Sequence, residues 1–465
     1  MRMRPVAALL CLAASLPAGS VFVEKPYIQL GDRPRLEKRE HLTVAWHAAD
    51  REAKWTVEYR RHDHKKWRKA DVSLRRRVEM APIEPHRIYA AELRKLDPGQ
   101  SYAYRVRLNG NPVFESTALA RKSAAMPYRF VVFGDCGQNT PAQKKIAYQT
   151  YRAKPDFVAI TGDIVYGRGR ISEYRLKYFP IYNSDEDSAA LGAPLIRSTL
   201  FVSSPGNHDV GGSDLAQNPD GLAYFLYWAQ PLNGPSLPRM DPRTPQALGS
   251  EEQTRPFLKA AANQYPRMAS FSFDYGNSHW TVLDSNRYAD WSSPEMSAWL
   301  KNDLAAARSA RWRFVIFHHP GINSSKAHFN DQWMRLLAPV FEEGKVDIVF
   351  AGHVHNYQRS HPLRFAPAGE LAWRGIVDGR FTLDKSYDGE KNTSPKGVIY
   401  VITGAGGAGL YNPEQEAVPT TWQDFTSRFK SNVNSFTLAD VDGGRMTIRQ
   451  VDANGKELDK FTISK

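Results

Sequence analysis

Apolar and polar residues alternate along the first part of the chain in a pattern that predicts β-strands. Three segments show the alternation: Leu42, Val44 and Trp46; Trp55, Val57 and Tyr59; and Tyr89, Ala91 and Leu93. Successive side chains of a strand point to opposite faces, so alternation is typical of strands with one buried face. Residues 21–120 are therefore predicted to form an all-β domain.

The rest of the chain contains short apolar runs that predict buried strands, separated by helical stretches. The runs are residues 130–133, 157–160, 200–202, 314–317 and 346–350, and the helical stretches are 141–152, 294–308 and 331–343. Gly276 and Asn277 join two further strands in a predicted hairpin. This mixture favours an α/β domain over residues 127–465, in which two face-to-face sheets lie between helices in a four-layer α-β-β-α sandwich.

Five segments that follow or end these runs carry metal-binding residue types. They are Gly134-Asp135-Cys136-Gly137, Gly162-Asp163-Ile164-Val165-Tyr166, Gly206-Asn207-His208-Asp209, Val315-Ile316-Phe317-His318 and Gly352-His353-Val354-His355. Ligand sites of layered α/β folds usually collect where strands end. A single aspartate after a strand is more often a turn or cap residue. The interpretation as a metal site therefore depends on the whole set.

The donor types in these segments suit two metal ions. Two cations about 3.5–4 Å apart need a carboxylate that bridges them, and Asp163 is central in the set. We expect Asp135, Tyr166 and His355 to complete one metal, and Asn207, His318 and His353 to complete the other. A tyrosinate suits ferric iron, whereas imidazole and amide donors suit a divalent ion such as iron, zinc or manganese.

In this order, and with a tyrosine three residues after the second aspartate, the segments resemble the purple acid phosphatases within the calcineurin-like metallophosphoesterases. The resemblance covers residues 127–460 and implies an acid phosphatase that hydrolyses phosphate monoesters, small-molecule substrates, by attack of a metal-bound hydroxide. It also implies that His208 and His328 bind the phosphate and protonate the leaving group. We expect His328 to be the acid.

His319 is a weaker candidate for substrate binding, because neighbouring residues on a strand point to opposite faces. It is also a departure from the family pattern, as are Asp209, where glutamate is usual, and Gln358, where an acidic residue is usual. These departures leave the substrate open. A phosphodiesterase or a nucleotide pyrophosphatase is an alternative at the same site, and a secreted adhesion protein with an inert catalytic body is another.

Two recognisable patterns occur in the first 120 residues, one within the predicted all-β domain and one before it. Residues 96–106 resemble the turn and following strand of a fibronectin type III domain, with Tyr102 as the candidate tyrosine corner. Residues 1–20 combine a basic start, an apolar stretch and small residues, which predicts a signal peptide and a secreted or periplasmic protein. Cys11 would leave with the signal peptide. Cys136 would then be the one remaining cysteine, and we interpret it as a small buried filler.

The charge of the chain and the length of its apolar stretch limit the kinds of partner that it can have. The net charge is +13, from 62 basic and 49 acidic residues that are scattered along the chain. A general attraction for phosphate-bearing anions follows, but no recognised motif predicts a dedicated nucleic-acid partner. The apolar stretch near the start is too short to span a bilayer. The oligomeric state stays open.

Some segments have more than one interpretation. Residues 211–267 and 364–396 look like insertions next to the site, either as substrate-selecting lids or as surface decoration. Gly404 to Gly409 have the glycine spacing of a dinucleotide fold, but no helix follows, so we expect a loop that passes close to the metals. His62 and His64 are predicted at an exposed hairpin tip rather than in a second metal site.

Overall fold

The computed structural model describes residues 20–368 and 375–465, so the predicted signal peptide lies outside the described residues except for Ser20. The strands are β1 (Glu24–Gln29), β2 (Glu40–Ala49), β3 (Trp55–Arg61), β4 (Arg68–Ala70), β5 (Val72–Val78), β6 (His86–Leu96), β7 (Ser101–Leu108), β8 (Asn111–Leu119), β9 (Tyr128–Phe133), β10 (Phe157–Ile160), β11 (Asn183–Ser188), β12 (Gly192–Pro194), β13 (Leu200–Ser203), β14 (Phe271–Tyr275), β15 (Ser278–Val282), β16 (Trp312–Ile316), β17 (Ile348–Ala351), β18 (Tyr357–Ser360), β19 (Leu363–Pro367), β20 (Gly379–Leu383), β21 (Ile399–Thr403), β22 (Thr426–Lys430), β23 (Ser435–Asp442), β24 (Arg445–Asp452) and β25 (Glu457–Ser464).

The α-helices are α1 (Pro141–Ala153), α2 (Ile171–Lys177), α3 (Phe179–Tyr182), α4 (Asn207–Val210), α5 (Tyr224–Tyr227), α6 (Glu251–Ala261), α7 (Pro294–Ala306) and α8 (Ala338–Glu343). Short 3₁₀ turns cover Ala262–Gln264, Arg267–Ala269, Ala307–Ser309, Trp333–Leu337, Pro413–Ala417 and Pro419–Thr421. In the described part of the chain, every helix is too short or too polar to cross a bilayer.

The first eight strands form a two-sheet sandwich with the orders β1-β2-β6-β5 and β4-β3-β7-β8. The alternating residues predicted from the sequence, such as Val44 and Val57, are buried between the sheets. The Tyr102 hydroxyl accepts a hydrogen bond from the backbone N–H of Asp97 at 2.7 Å. This bond is the tyrosine corner, and with the strand order it supports the predicted fibronectin type III-like fold.

Two larger sheets form the rest of the fold, with the orders β13-β10-β9-β23-β24-β25 and β14-β15-β16-β17-β21-β18-β22. They pack face to face. In each strand, alternate residues point either to the core between the sheets or to an outer core under the helices. Phe130 and Phe314 meet in the core between the sheets, whereas Val131 packs with α1 and Val315 packs with α7 and α8. Helices therefore cover both outer faces, and the predicted four-layer α/β architecture is confirmed.

The predicted helix over residues 331–343 is only partly correct. Residues 333–337 form a 3₁₀ turn, and α8 begins at Ala338. Pro339 explains the break, because proline has no N–H to donate to the carbonyl of Arg335 and its ring would clash there. The predicted helices before it agree better: α1 follows Thr140, whose hydroxyl accepts the Gln143 N–H at 3.0 Å.

The segment 211–267 is not surface decoration throughout, because residues 222–232 are largely buried against the sandwich. Tyr27 of β1 donates its hydroxyl to the carbonyl of Tyr227 at 3.0 Å. Arg76 of β5 donates to the carbonyls of Phe225 and Leu226 at 2.9 and 2.6 Å. This part of the segment therefore connects the two domains. In the other predicted insertion, β19 and β20 form a hairpin, and residues 369–374 lie outside the described residues.

Candidate metal centre

Strands of the two larger sheets end at one edge of the second domain and bring the predicted ligands together. β9, β10 and β13 are parallel neighbours in one sheet, and β16 and β17 are parallel neighbours in the other. Parallel strands end at the same edge, so the loops that follow them converge. The residues that meet there are Asp135, Asp163, Tyr166, Asn207, His318, His353 and His355, which are all the predicted ligands.

One half of the cluster contains Asp135, Tyr166 and His355. The Tyr166 hydroxyl lies 3.0 Å from Asp135 Oδ1 and 2.7 Å from His355 Nε2. His355 Nε2 is in turn 3.4 Å from Asp135 Oδ1. The other ring nitrogen of His355 faces the carbonyl of Gly409 at 2.5 Å and donates to it. That bond fixes the tautomer, so Nε2 presents its lone pair to the cluster.

The other half contains Asn207, His318 and His353. His318 Nε2 lies 3.0 Å from Asn207 Oδ1 and 3.2 Å from His353 Nδ1. Asp163 Oδ1 is 3.3 Å from the same nitrogen. His318 Nδ1 donates to the carbonyl of Thr161 at 2.7 Å, which again leaves Nε2 as the donor atom for a metal.

The spacing and chemistry of these atoms fit metal coordination. Ligands at about 2.0–2.2 Å from one cation lie about 3 Å from each other, and the contacts above between predicted ligand atoms fall between 2.7 and 3.4 Å. The donors are carboxylate, phenol, amide and imidazole groups, which suit transition metals. The described residues thus offer two groups of candidate ligands. Asp163 lies close to the group that contains His318, and the same loop carries Tyr166 of the other group.

Backbone geometry at the site is unusual for non-glycine residues. Asp135, Asp163 and His353 have φ values of 57°, 51° and 67°. This left-handed conformation is uncommon outside glycine, asparagine and aspartate, and it is concentrated at functional sites. Neighbouring glycines give the loops room: a Cβ on Gly206 would lie 2.1 Å from Asp163 Oδ1.

The electrostatics of the cluster favour a cation. Burial lowers the pKa of His318, but Asp163 and Asp135 outweigh burial and raise that pKa to about 9. Burial and the same two carboxylates raise the pKa of Tyr166 well above its ordinary value. The carboxylates therefore hold protons on their neighbours. A metal ion would satisfy them in place of those protons, and metal binding would release protons.

His208 and His328 lie at the open rim on either side of the cluster. His208 Nε2 is 3.9 Å from Asp163 Oδ2, and its side chain is 36% exposed. The His328 ring lies 3.9 Å from the His353 ring, measured between centroids, and its side chain is 34% exposed. Both rings are therefore partly accessible to solvent and lie close to predicted ligands.

His319 faces the cluster, contrary to the expectation that it points away from His318. β16 ends at Ile316, so strand alternation does not extend to these two residues. The His319 ring lies 4.4 Å from the His353 ring. The Ser285 hydroxyl accepts the N–H groups of His318 and His319 at 3.0 and 2.9 Å, so its own proton goes to His319 Nδ1. Burial lowers the pKa of His319 well below its ordinary value.

Two departures from the family pattern lie in the interior rather than on the substrate side. Asp209 is fully buried and accepts the N–H groups of Gly206 at 2.8 Å and Ile164 at 3.1 Å, which ties two ligand loops together. Burial and Asp163 raise the pKa of Asp209 to about 8. Gln358 is buried and bonds Asn323 at 2.8 Å. Cys136 is also fully buried, as predicted.

Sequence reasoning missed Asp331 and Tyr411. Asp331 Oδ2 lies 3.2 Å from His328 Nδ1 and 3.3 Å from His353 Nε2. Tyr411 stacks on His355 with ring centroids 4.0 Å apart. Neither residue belongs to a strand-end motif. A signal was present for Asp331 alone, in its spacing of three residues from His328.

The glycine-rich segment passes the cluster closely, as predicted. A Cβ on Gly404 would lie 2.8 Å from Asp135 Oδ2, and one on Gly406 would lie 2.2 Å from the carbonyl of Gly134. A larger side chain at either position would displace the first ligand loop. The segment leads into a short 3₁₀ turn, Pro413–Ala417, and not into the helix that a dinucleotide site requires.

Comparisons with known proteins find similarity to phosphoesterases in sequence and in fold. Residues 128–357 match the model of the calcineurin-like phosphoesterase family. An uncharacterized protein of Mycobacterium tuberculosis is 26% identical over 389 residues, which cover 76% of this chain and 66% of that protein. Purple acid phosphatase 21 of Arabidopsis thaliana is 24% identical over 70% of this chain and 65% of its own length. The matches thus cover slightly less than two thirds of these relatives.

The fold as a whole resembles a solved plant enzyme. The structure of a purple acid phosphatase from yellow lupin (Lupinus luteus) seeds matches 94% of this chain and 74% of that one, with a TM-score of 0.60 and 19% identity. That match covers the N-terminal sandwich as well as the domain that carries the metal cluster. At this identity the likeness concerns the fold.

Proposed function

We propose that this chain, which carries a calcineurin-like phosphoesterase domain of the purple acid phosphatase type, hydrolyses phosphate monoesters at a binuclear metal centre. The observation that carries the proposal is the position of the Tyr166 hydroxyl between Asp135 and His355, at 3.0 and 2.7 Å. Tyrosine at this place is the donor that separates the purple acid phosphatase resemblance from other metallophosphoesterases. A phosphodiesterase on the same site is the alternative outcome of the test below.

Seven side chains would hold the metals. Asp135, Tyr166 and His355 surround one position, Asn207, His318 and His353 surround the other, and Asp163 would bridge the two. We propose ferric iron at the tyrosine position and divalent iron, zinc or manganese at the other. Bound there, the metals would polarise a phosphoryl oxygen and lower the pKa of water from 15.7 to about 7.

The rim histidines would handle the substrate. His208 donates its Nδ1 proton to the carbonyl of Gly167 at 3.0 Å, so its Nε2 points toward Asp163 and the phosphate position. His328 would protonate the leaving oxygen, since its Nδ1 is tied to Asp331 and its Nε2 is left for the substrate. His319 would contribute to phosphate binding from its buried position beside His353.

The proposed place of action is outside the cytoplasm. Support comes from the basic start, the apolar stretch and the small residues within positions 1–20 of the sequence. In an oxidising compartment, the buried Cys136 thiol would stay inert, because burial raises its pKa far above the ordinary value.

A substrate panel with metal analysis tests the proposed reaction. Purified protein would be assayed on a nitrophenyl monoester, the matching diester and a nucleoside triphosphate over a range of pH, and its metal content would be measured. We expect two metals per chain and preference for the monoester. Asp163→Asn should lose both metals and the activity together. Preference for the diester would make the chain a phosphodiesterase. A wild type that is inactive and holds no metal would support the alternative of a secreted adhesion protein.

A second measurement tests the assignment of the acid. General acid catalysis typically contributes about 10²–10⁴-fold. His328→Ala should therefore slow esters of alkyl alcohols far more than nitrophenyl esters, whose leaving group needs no proton, while metal content stays unchanged. Equal losses on both esters would instead make His328 a phosphate-binding residue.

A further inference from the structure

Asp331 connects the proposed metal ligands to the proposed acid. One oxygen, Oδ2, faces His353 Nε2 at 3.3 Å and His328 Nδ1 at 3.2 Å. The other oxygen, Oδ1, accepts a hydrogen bond from Arg287 at 2.8 Å. The Asp331 side chain is 13% exposed. One carboxylate therefore serves three donors, two of which are imidazole rings with different proposed tasks.

The chemistry of a carboxylate decides what the two rings present to the site. An ionised carboxylate only accepts hydrogen bonds, so each ring nitrogen that faces it must carry a proton. In a neutral imidazole the other nitrogen then has a lone pair. His353 accordingly turns Nδ1 toward His318 Nε2, 3.2 Å away in the ligand cluster. His328 turns Nε2 away from Asp331. Because the carboxylate keeps a proton on Nδ1, a doubly protonated His328 ring would give its Nε2 proton to the leaving group and return to the neutral form with its proton on Nδ1.

We propose that Asp331 is a positioning residue that sets the tautomers of His353 and His328 together, so that one carboxylate couples metal binding to protonation of the leaving group. The proposal rests on the proposed function. Its physical basis is that carboxylates behind metal-binding histidines orient the ring and raise its basicity. Here the same oxygen also orients the His328 ring, which lies against His353 with the ring centroids 3.9 Å apart and the planes tilted by 47°.

Arg287 pairs with the Asp331 carboxylate from the solvent side, with a side chain that is 69% exposed. Its guanidinium lies 5.3 Å from the centre of the Trp333 ring, and Trp333 is anchored by its indole N–H, which donates to the carbonyl of Ser285 at 3.0 Å. The guanidinium donates and never accepts. An asparagine at position 331 would thus face donors on both sides, and it has one acceptor oxygen and one donor nitrogen to offer.

This conflict makes Asp331→Asn a specific probe. If the amide oxygen turned to Arg287, its NH₂ group would face both imidazoles and force their protons to the opposite nitrogens. His353 would then present N–H to the metal. If the oxygen turned to the imidazoles, the NH₂ group would oppose the guanidinium. Removing Arg287 as well releases the amide, so Asp331→Asn with Arg287→Met should restore what Asp331→Asn alone loses.

The experiment measures metal affinity and leaving-group dependence in parallel. Apo protein would be titrated calorimetrically with Zn²⁺ and Mn²⁺, and hydrolysis of alkyl and nitrophenyl phosphates would be followed on the same preparations. We expect Asp331→Asn to weaken metal binding by about 10- to 100-fold and to slow the alkyl ester more than the nitrophenyl ester. The double variant should recover most of both losses. Asp50→Asn is the matched control, because Asp50 also pairs with arginines, at 2.8 and 2.9 Å, but in the sandwich.

The outcomes separate this proposal from the proposed function. Wild-type metal affinity and leaving-group dependence in Asp331→Asn would overturn the role of Asp331 and leave the phosphatase intact. A loss that the double variant does not recover would show that Asp331 acts through packing or charge, and not through tautomers. Wild-type protein that binds no metal and cleaves no ester would refute the proposed function itself, and the role of Asp331 with it.

Discussion

The protonation state of Tyr166 depends on whether a cation lies beside its hydroxyl. Its hydroxyl is buried between Asp135 and His355, and burial with nearby carboxylates raises its pKa well above the ordinary value. In these surroundings the ring is a neutral phenol. A strongly acidic cation would convert it to a phenolate, which is a hard anionic donor. A phenolate at Tyr166 would therefore report the proposed ferric ion.

The prediction at this scale concerns colour. Tyr166→Phe should remove a visible charge-transfer absorption band from the iron-loaded protein, because it removes the oxygen that we propose as the ligand of the ferric ion. The fold should persist, since the ring remains and packs 4.5 Å from His208. Visible absorption and circular dichroism measure the two effects. A wild type that takes up only zinc or manganese and is colourless would contradict the ferric assignment, though not the hydrolase.

At the scale of elements, short loops carry the ligands away from rigid strands. β10 ends at Ile160, and Gly162 and Asp163 follow within three residues. Gly162 has a φ of 88°, and a Cβ there would lie 2.7 Å from His318 Nδ1 and 2.8 Å from Gly206 Cα. The loops from three different strands thus meet at a position with no space for a side chain.

Gly162→Ala should disrupt the site more than the fold. A positive φ costs an alanine roughly 1–2 kcal/mol, and the new methyl group must also displace His318 or the backbone of Gly206, each of which lies within 3 Å of it. We expect metal affinity to fall at least about tenfold. Gly110→Ala is the matched control, since Gly110 has a φ of 87° and nothing within 4 Å of its added Cβ. Equal metal affinity in the two variants would show that crowding at Gly162 is unimportant.

Another contact between elements makes stability depend on pH. His279 of β15 is 1% exposed and lies between Asp274 of β14 at 2.8 Å and Asp303 of α7 at 3.0 Å. Burial lowers its pKa, but hydrogen bonds to the two carboxylates outweigh burial, and the pKa is raised above the ordinary value of 6.5. Both ring nitrogens can then donate at once.

The sign of this effect is fixed by the direction of the shift. A raised pKa in the folded state stabilises the fold below pH 6.5, and that stabilisation is lost as the pH rises through the folded-state pKa. His279→Gln should therefore lower the free energy of unfolding more at about pH 6 than at about pH 9. Urea titrations at both values measure the difference. A loss that is the same at both pH values would contradict a charged His279.

At the scale of the whole molecule, the sandwich and the catalytic domain are joined by buried polar contacts. Arg121 follows the last strand of the sandwich, and its side chain is 2% exposed. Its guanidinium pairs with Glu40 of β2 at 2.7 Å and donates to the carbonyl of Asp274 in β14 at 3.0 Å. One side chain therefore connects both domains, which favours a fixed arrangement.

Arg121→Met should destabilise the protein strongly. It leaves the Glu40 carboxylate buried without its partner, a change that typically costs about 3–5 kcal/mol. Arg33→Met is the control, because Arg33 pairs with Glu92 at 3.0 Å on the surface and is 43% exposed, and such pairs contribute about 0–1 kcal/mol. Urea unfolding measures both. A small effect at Arg121 would show that the domains do not depend on this contact.

The sequence by itself predicted a set of candidate ligands and the main strands of both domains. Period-two alternation predicted the sandwich, apolar runs predicted the catalytic strands, and turn residues predicted the hairpin of β14 and β15, because each is a local signal. Four of the candidate ligand motifs were visible because glycine and a metal-binding residue type follow an apolar run, and the fifth was visible because His318 ends such a run. Their closeness in space could be expected, since parallel strands bring their ends to one edge of a sheet.

Only the tertiary structure decided the surroundings of the ligands. Asp331 reaches His353, 22 positions away, and Tyr411 stacks on His355 across the glycine-rich loop. No local periodicity encodes such pairs, because they depend on how separate loops pack. His319 turned inward because its strand had already ended, and residues 222–232 were buried by the sandwich beside them. Local patterns specify elements and donors, whereas contacts between distant loops arise only when the layers assemble.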